Sequence, residues 1–316
     1  MMLRRRKAMG KKIIRESLER LNLGRSCKSG GMTVWPLIGP DLSCTDYDLL
    51  DGALKSGSCV VSELESPSVP SVIVANHSHR PILGMHGQLL SGAKQNRSLN
   101  LTTMFPPESE TEVDVACVEQ GRWNTGRCFD DAEWMQSAAG RTEKLGDVLS
   151  NIRRNGESKA NQQNVWNQQS LKQRGLGSRS ATLDEIEIQK FTLDGSVESM
   201  LERFELDQDQ VGAILQANNS WAIEIFDRQS SYAQYHDSLL RSFMIEAVEA
   251  TRRTLAYGDV EPAVLMKKLW NLNWDSIDTR GIGESFSSSA SNTKSVALLY
   301  GGVSVSLSVN GFIAQT

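Results

Sequence analysis

Residues 71–123 read SVIVANHSHRPILGMHGQLLSGAKQNRSLNLTTMFPPESETEVDVACVEQGRW, and this stretch decides the fold. Short apolar runs (SVIVAN, PILGMHGQLL, SLNLTTMF, EVDVACVE) are separated by groups of turn formers, NHSHRP and PPESE. β-Branched residues in short runs suit pleated strands, and clustered Asn, Pro and Ser suit tight connections. The spacing predicts antiparallel hairpins, arranged as a sandwich or a barrel. The same texture extends upstream through TVWPLIG and SCVVSEL, interrupted by a helix over residues 47–55.

Outside this region the character changes. Residues 11–22 place Ile13, Ile14, Leu18 and Leu21 on one helical face. The basic head before them, MMLRRRKAMG, has no apolar run behind it and does not read as a secretory signal. It reads as a solubilising extension or as a docking arm for an acidic protein partner. Residues 126–204 are polar and rich in Gln, Asn and Arg, with helices expected over 130–139 and 160–174. Trp134, Trp166 and regular Leu spacing argue for packed helices rather than low complexity. VGAILQANNSWAIEIFD then reads as a hairpin turning at residues 218–220, followed by helices over 230–256 and 263–272. VALLYGGVSVSLSVNGFIAQ closes the chain as a meander.

Strands followed by helices point to an α+β protein: a β-rich N-terminal half of antiparallel hairpins and a mixed helical C-terminal half ending in a β-meander. Four blocks follow from the composition: an extension over 1–32, a β-rich region over 33–125, a polar helical region over 126–210, and a final block over 211–316. The alternative is one compact domain over 33–316.

The 316 residues are 39% hydrophobic and 23% charged, which excludes a disordered or coiled-coil chain. A net charge of −4 argues against general nucleic-acid binding. No stretch approaches the roughly 18 apolar residues that span a bilayer. Five cysteines without a C-x-x-C pair indicate neither a zinc site nor a disulfide framework, and suit a reducing cytoplasm. No G-x-G-x-x-G or P-loop follows any expected strand.

Two segments carry candidate chemistry. Gly87 and Gly92 bracket a short strand, and Lys94, Gln95, Asn96 and Arg97 follow it. Lys and Arg beside a glycine turn suit phosphate, and Gln and Asn suit a sugar or base edge. The alternative is a solvated edge strand. In CVEQGRW, Glu119 and Arg122 sit at a strand terminus beside Trp123. Arg122 suits an anion, Trp123 a stacking surface, and Glu119 a ribose hydroxyl or a catalytic base. The alternative is a Glu119–Arg122 ion pair with Trp123 over the core. His77 and His79 read as turn residues, so no metal is expected there or at His86. Cys117 reads as a core thiol in preference to a nucleophile.

The segment from VANHSHRPILG to KQNRSLN, followed by VDVACVEQGRW, resembles the ADP-ribosylglycohydrolase- and rhodanese-phosphatase-associated protein domain family. Gly87, Leu90, Gly92, Lys94, Gln95, Asn96 and Arg97 match its first motif, and Cys117, Glu119, Gly121, Arg122 and Trp123 its second. The resemblance spans roughly residues 33–316. It implies ADP-ribose or NAD-derived metabolism in a conflict, repair or stress setting, with an NAD-derived small molecule as ligand. Where the family pattern has an acidic pair, D-G-E, this chain has His86-Gly87-Gln88. That replacement moves weight from enzyme toward binding module and leaves Glu119 as the acid/base candidate. The competing expectation is a non-catalytic scaffold of a defence-type complex, in which the same residues hold a strand junction together.

Overall fold

The computed structural model describes residues 2–42, 46–64, 70–122, 126, 128–193, 195, 197–255, 257–290 and 292–313. The chain forms two compact units interleaved in sequence: Asp46–Asp194 with Thr279–Ile282, and Met1–Thr45 with Gly195–Asp278 and Gly283–Thr316. The architecture is α+β, with a barrel in the N-terminal half and a C-terminal meander.

The first unit is built on a closed barrel. Its strands, in ring order, are Ser109–Cys117, Ser71–Asn76, Cys59–Glu63, Cys128–Met135, Gln88–Gly92 and Arg97–Leu99. Every neighbouring pair is antiparallel. Strand alternation sends Cys59 and Val61, Val72 and Val74, Val113 and Val115, and Leu99 into one core with Leu90, Phe129 and Ala132. The apolar run PILGMHGQLL is two strands, not one. Ile82–Gly84 joins a small sheet with Thr103–Phe105 and Asp48–Leu49, while Gln88–Gly92 enters the barrel. The chain turns between them at Gly87, whose φ of +83° suits glycine.

The helix expected over 130–139 is instead the strand Cys128–Met135. Its register against Gln88–Gly92 slips twice, so Phe129, Ala132 and Met135 are the buried positions. Bulges thus gave a strand the spacing of a helix face. The outer barrel wall is covered by Gln162–Leu176 and Glu185–Thr192, which bring Val165 and Ile186 onto Leu89, Ala116 and Val118.

The second unit is a nine-stranded antiparallel sheet. Its main path runs Asn22–Leu23, Met32–Ile38, Gln210–Ala217, Ser220–Phe226, Val303–Phe312, Thr293–Tyr300, Glu284–Ala290 and Asp275–Ile277, with Cys27–Ser29 paired to Met32–Ile38. The expected hairpin is present, turning at Asn218 with φ +55°. On one face Trp35, Trp221, Ile223, Phe286 and Leu307 pack with Ile14 and Leu18 of helix Met2–Leu18 and Leu265 and Leu269 of helix Pro262–Trp270. Phe226 stacks on Tyr235 of helix Gln229–Arg252 at 5.3 Å. The N-terminal helix begins at Met2, nine residues earlier than its apolar spacing suggested, so most of the basic head is helical.

Candidate functional site

The two motifs meet at one end of the barrel. Arg97 pairs directly with Cys117 in an antiparallel ladder, Ser98 with Ala116 and Leu99 with Val115. Period-two alternation then divides the KQNR segment between two layers.

The inner layer plugs the barrel. Arg97 and Cys117 follow the inward phase of Leu99 and Val115, and Glu63 follows that of Cys59 and Val61. Arg97 Nη2 donates to Glu63 Oε1 at 3.0 Å, joining strands on opposite sides of the ring. Both side chains are nearly inaccessible, at 2% and 3%. Gln95 Oε1 accepts from Arg97 Nη1 at 3.2 Å and from the Cys117 thiol at 3.1 Å. Burial pushes the Cys117 thiol up, an effect that the Arg97 charge partly opposes. A protonated thiol donating to the Glu119 carbonyl at 2.8 Å is a packing group, not a nucleophile.

The outer layer is centred on Asn96 and Glu119. Glu119 Oε2 accepts from the Asn96 backbone N–H at 3.0 Å. Its Oε1 accepts from Arg122 Nε at 2.6 Å and from Thr182 Oγ1 at 3.1 Å. Arg122 Nη2 also donates to Asn96 Oδ1 and to the Gly92 carbonyl, each at 3.1 Å. Hydrogen bonding to Glu119 raises the already high pKa of Arg122. Asn96 Nδ2 donates to Asp184 Oδ1 at 3.0 Å, and the same oxygen caps helix Glu185–Thr192 through the Ile186 N–H. Burial, reinforced by the neighbouring Glu119 charge, raises the Asp184 carboxyl. Lys94 is half-buried, with no hydrogen bond or ion pair to any described residue. Trp123 lies outside the described residues.

Glutamines explain the polar composition of the helical region. The strand Ser109–Cys117 runs out of ladder partners at its end, and Gln162 replaces one: its amide accepts from the Cys117 N–H at 2.8 Å and donates to the Cys117 carbonyl at 2.7 Å. Gln169 donates to the Val118 carbonyl at 2.6 Å, and Gln189 to that of Met135 at 2.9 Å. Buried backbone groups need partners, and a Gln side chain supplies one without a charge.

The model of the ARG and Rhodanese-Phosphatase-superfamily-associated Protein domain, ARPP-1, matches residues 20–310. The chain belongs to this family. The ARPP-1 domain thereby covers both compact units, and its name associates it with the ADP-ribosylglycohydrolase and rhodanese-phosphatase superfamilies. No curated protein and no solved structure matches the chain.

Within the ARPP-1 domain, a second polar cluster was not singled out from the sequence, apart from His86. Arg141 and Lys144, one turn apart on helix Ala138–Asn155, are fully buried near His86. Lys144 Nζ donates to Ser98 Oγ and, at 2.7 Å, to the Leu99 carbonyl. Burial, with the Arg141 charge beside it, holds Lys144 well below the usual amine range, and the same two causes lower His86. His77 and His79 lie in the exposed turn after Asn76. Among the described residues no group of three or more His, Cys, Asp or Glu side chains is arranged to hold a metal ion. No helix among them is long and apolar enough to cross a membrane.

Glu63, Thr182 and Asp184 were missed as partners of the motifs. Glu63 had a signal, an acid in the inward phase of SCVVSEL, and Asp184 had one as the cap before EIEIQ. Thr182 had none.

Proposed function

We infer that the chain binds an anionic, nucleotide-derived ligand of the ADP-ribose or NAD type at the open side of the outer layer. The observation that carries this reading is the meeting of both motifs at one barrel end, with a half-buried Lys94 that has no partner among the described residues and a partly exposed Arg122. Lys94 and the outer edge of the Arg122 guanidinium would take phosphate, Asn96 would read a sugar or base edge, and Trp123 would stack. Gln95 and Arg97 support the site from inside the barrel. Glu119 accepts three hydrogen bonds, which makes it the group that orients Arg122. The raised Asp184 carboxyl is then the better proton donor, should the ligand be processed. Free Cys27, Cys59, Cys117 and Cys128 suit a reducing, cytoplasmic setting.

A second reading has its own observation. Arg97–Glu63 and Arg122–Glu119 are closed ion pairs, the arrangement of a scaffold that needs no ligand. Thermal melting with and without ADP-ribose, NAD, cyclic nucleotides and phosphorylated RNA ends separates the two. Ligand at 100 times its Kd adds about 2.7 kcal/mol of stability. For ligand binding, Lys94→Ala and Arg122→Ala abolish the shift, Arg122→Lys restores part of it, and the unliganded melt of Lys94→Ala, which breaks no ion pair among the described residues, changes little. No shift with any compound, together with a loss of about 3–5 kcal/mol in unliganded Arg122→Ala, establishes the scaffold instead.

A further inference from the structure

The N-terminal helix ends before the ARPP-1 match begins, and it brings a charge unlike that of the rest of the chain. Met2–Leu18 contains seven basic residues and one acidic residue, in a protein of net charge −4. It is not a free arm. Gly10 lies so close to the Phe286 ring that a Cβ there would stand 2.0 Å from its tip, and Ile14 and Leu18 join the sheet core. Lys7 pairs with Asp275, and Lys11 donates to Asn273 at 2.7 Å.

A second basic helix packs on the same core. Pro262–Trp270 buries Leu265 and Leu269 and leaves Lys267 and Lys268 exposed, with no acidic residue of its own. The two helices touch where the Arg15 guanidinium lies over the Trp270 ring at 5.4 Å. The exposed residues of the two helices are both cationic and apolar. Lys12 and Arg15 are exposed, and so are Val264 and Trp270, at 51% and 37%. An indole held by a stacked arginine at the surface offers flat apolar area that needs no ordering on binding.

We propose that this two-helix face is a docking surface for an acidic, partly apolar segment of another protein. The argument is charge complementarity combined with the exposed Trp270 and Val264. A peptide alternating carboxylates with apolar residues meets Lys12, Arg15, Lys267 and Lys268 with the former and the indole with the latter. Glu16 and Glu19 interrupt the positive face, each 3.6 Å from a basic neighbour. A continuous array of phosphates, on a lipid surface or a nucleic acid, would meet repulsion at both. A peptide can leave those two positions uncharged.

The test uses the full chain and a fluorescein-labelled amphipathic peptide of glutamate and leucine, followed by anisotropy. The peptide binds, its affinity falls with salt, and Trp emission shifts to the blue. The variant K12E/R15E/K267E/K268E weakens binding about tenfold or more, and Trp270→Ala several-fold. K267E/K268E, which touches none of the ion pairs of the first helix, produces a measurable part of that loss even if the quadruple variant folds poorly. Absence of binding, binding indifferent to K267E/K268E, or tighter binding to anionic phospholipid vesicles or a DNA duplex overturns the proposal.

Discussion

The barrel and the open sheet are held together by different physics. One face of the sheet is secured by area, with Trp35, Trp221, Trp274 and Phe286 filling the layer beneath two helices, while Glu224 of a central strand is buried with the Ser308 hydroxyl donating to it. The barrel is apolar along its length but closed at one end by charge, with Arg97 reaching across the ring to Glu63. Apolar packing degrades gradually, because neighbours relax into a gap. A buried ion pair fails abruptly, because removing one partner strands the other. The family motif therefore lies where a single substitution is least tolerable, whether or not a ligand comes.

The sharpest way to break this comparison is a matched pair of truncations. Arg97→Ala should lose about 3–5 kcal/mol in chemical denaturation, much of it recovered by adding Glu63→Leu. Trp221→Ala should lose a similar amount, about 3–5 kcal/mol, that no substitution elsewhere recovers by removing a charge. Equal recovery in both would erase the distinction.

Backbone crowding gives the next largest contrast. A Cβ on Gly212 would meet the Glu224 carbonyl oxygen at 2.3 Å, and a ladder carbonyl cannot move aside. Gly212→Ala should cost about 3 kcal/mol or more. A Cβ on Gly87 would meet the Arg141 side chain at 2.4 Å, with φ of +83°. Arg141 is fully buried, and a left-handed φ is itself costly for alanine, so Gly87→Ala should cost about 1–3 kcal/mol, read from melting temperatures.

Acid titration sharpens the comparison further. Burial lowers His86 in the barrel unit well below 6.5, and lowers His236 in the sheet unit less drastically because the Phe204 carbonyl opposes it. In both cases the unfolded chain takes up the proton first, so stability falls as the pH drops below about 6.5 toward the folded-state value. His86→Gln should flatten the pH 7 to 5 stability curve more than His236→Gln; the opposite ranking would place the stronger burial in the wrong unit. The smallest effect belongs to the surface. Lys55 pairs with Asp51 and Glu133 while half-exposed, and Lys55→Ala should change stability by less than about 1 kcal/mol.

Hairpins, the long helix Gln229–Arg252 and the closing meander were legible because each shows its period within its own segment. The family was legible for a related reason: its motifs are contiguous, and their residues must alternate inward and outward at one strand end. Cys128–Met135 was not, because two register shifts erased its period. The N-terminal helix was placed too late, since its first turns carry charge and show no apolar face.

By itself, then, the chain determined most of its local elements, its α+β class and its family, all properties of neighbouring residues. Tertiary structure alone decided which strands close the ring, that Gln95 and Arg97 turn inward while Asn96 turns outward, and that Glu63, Thr182 and Asp184 are their partners. The reason is range. Backbone periodicity acts over a few residues, whereas Arg97 finds Glu63 across 34 positions and Asn96 finds Asp184 across 88, distances over which only the closed fold brings side chains together.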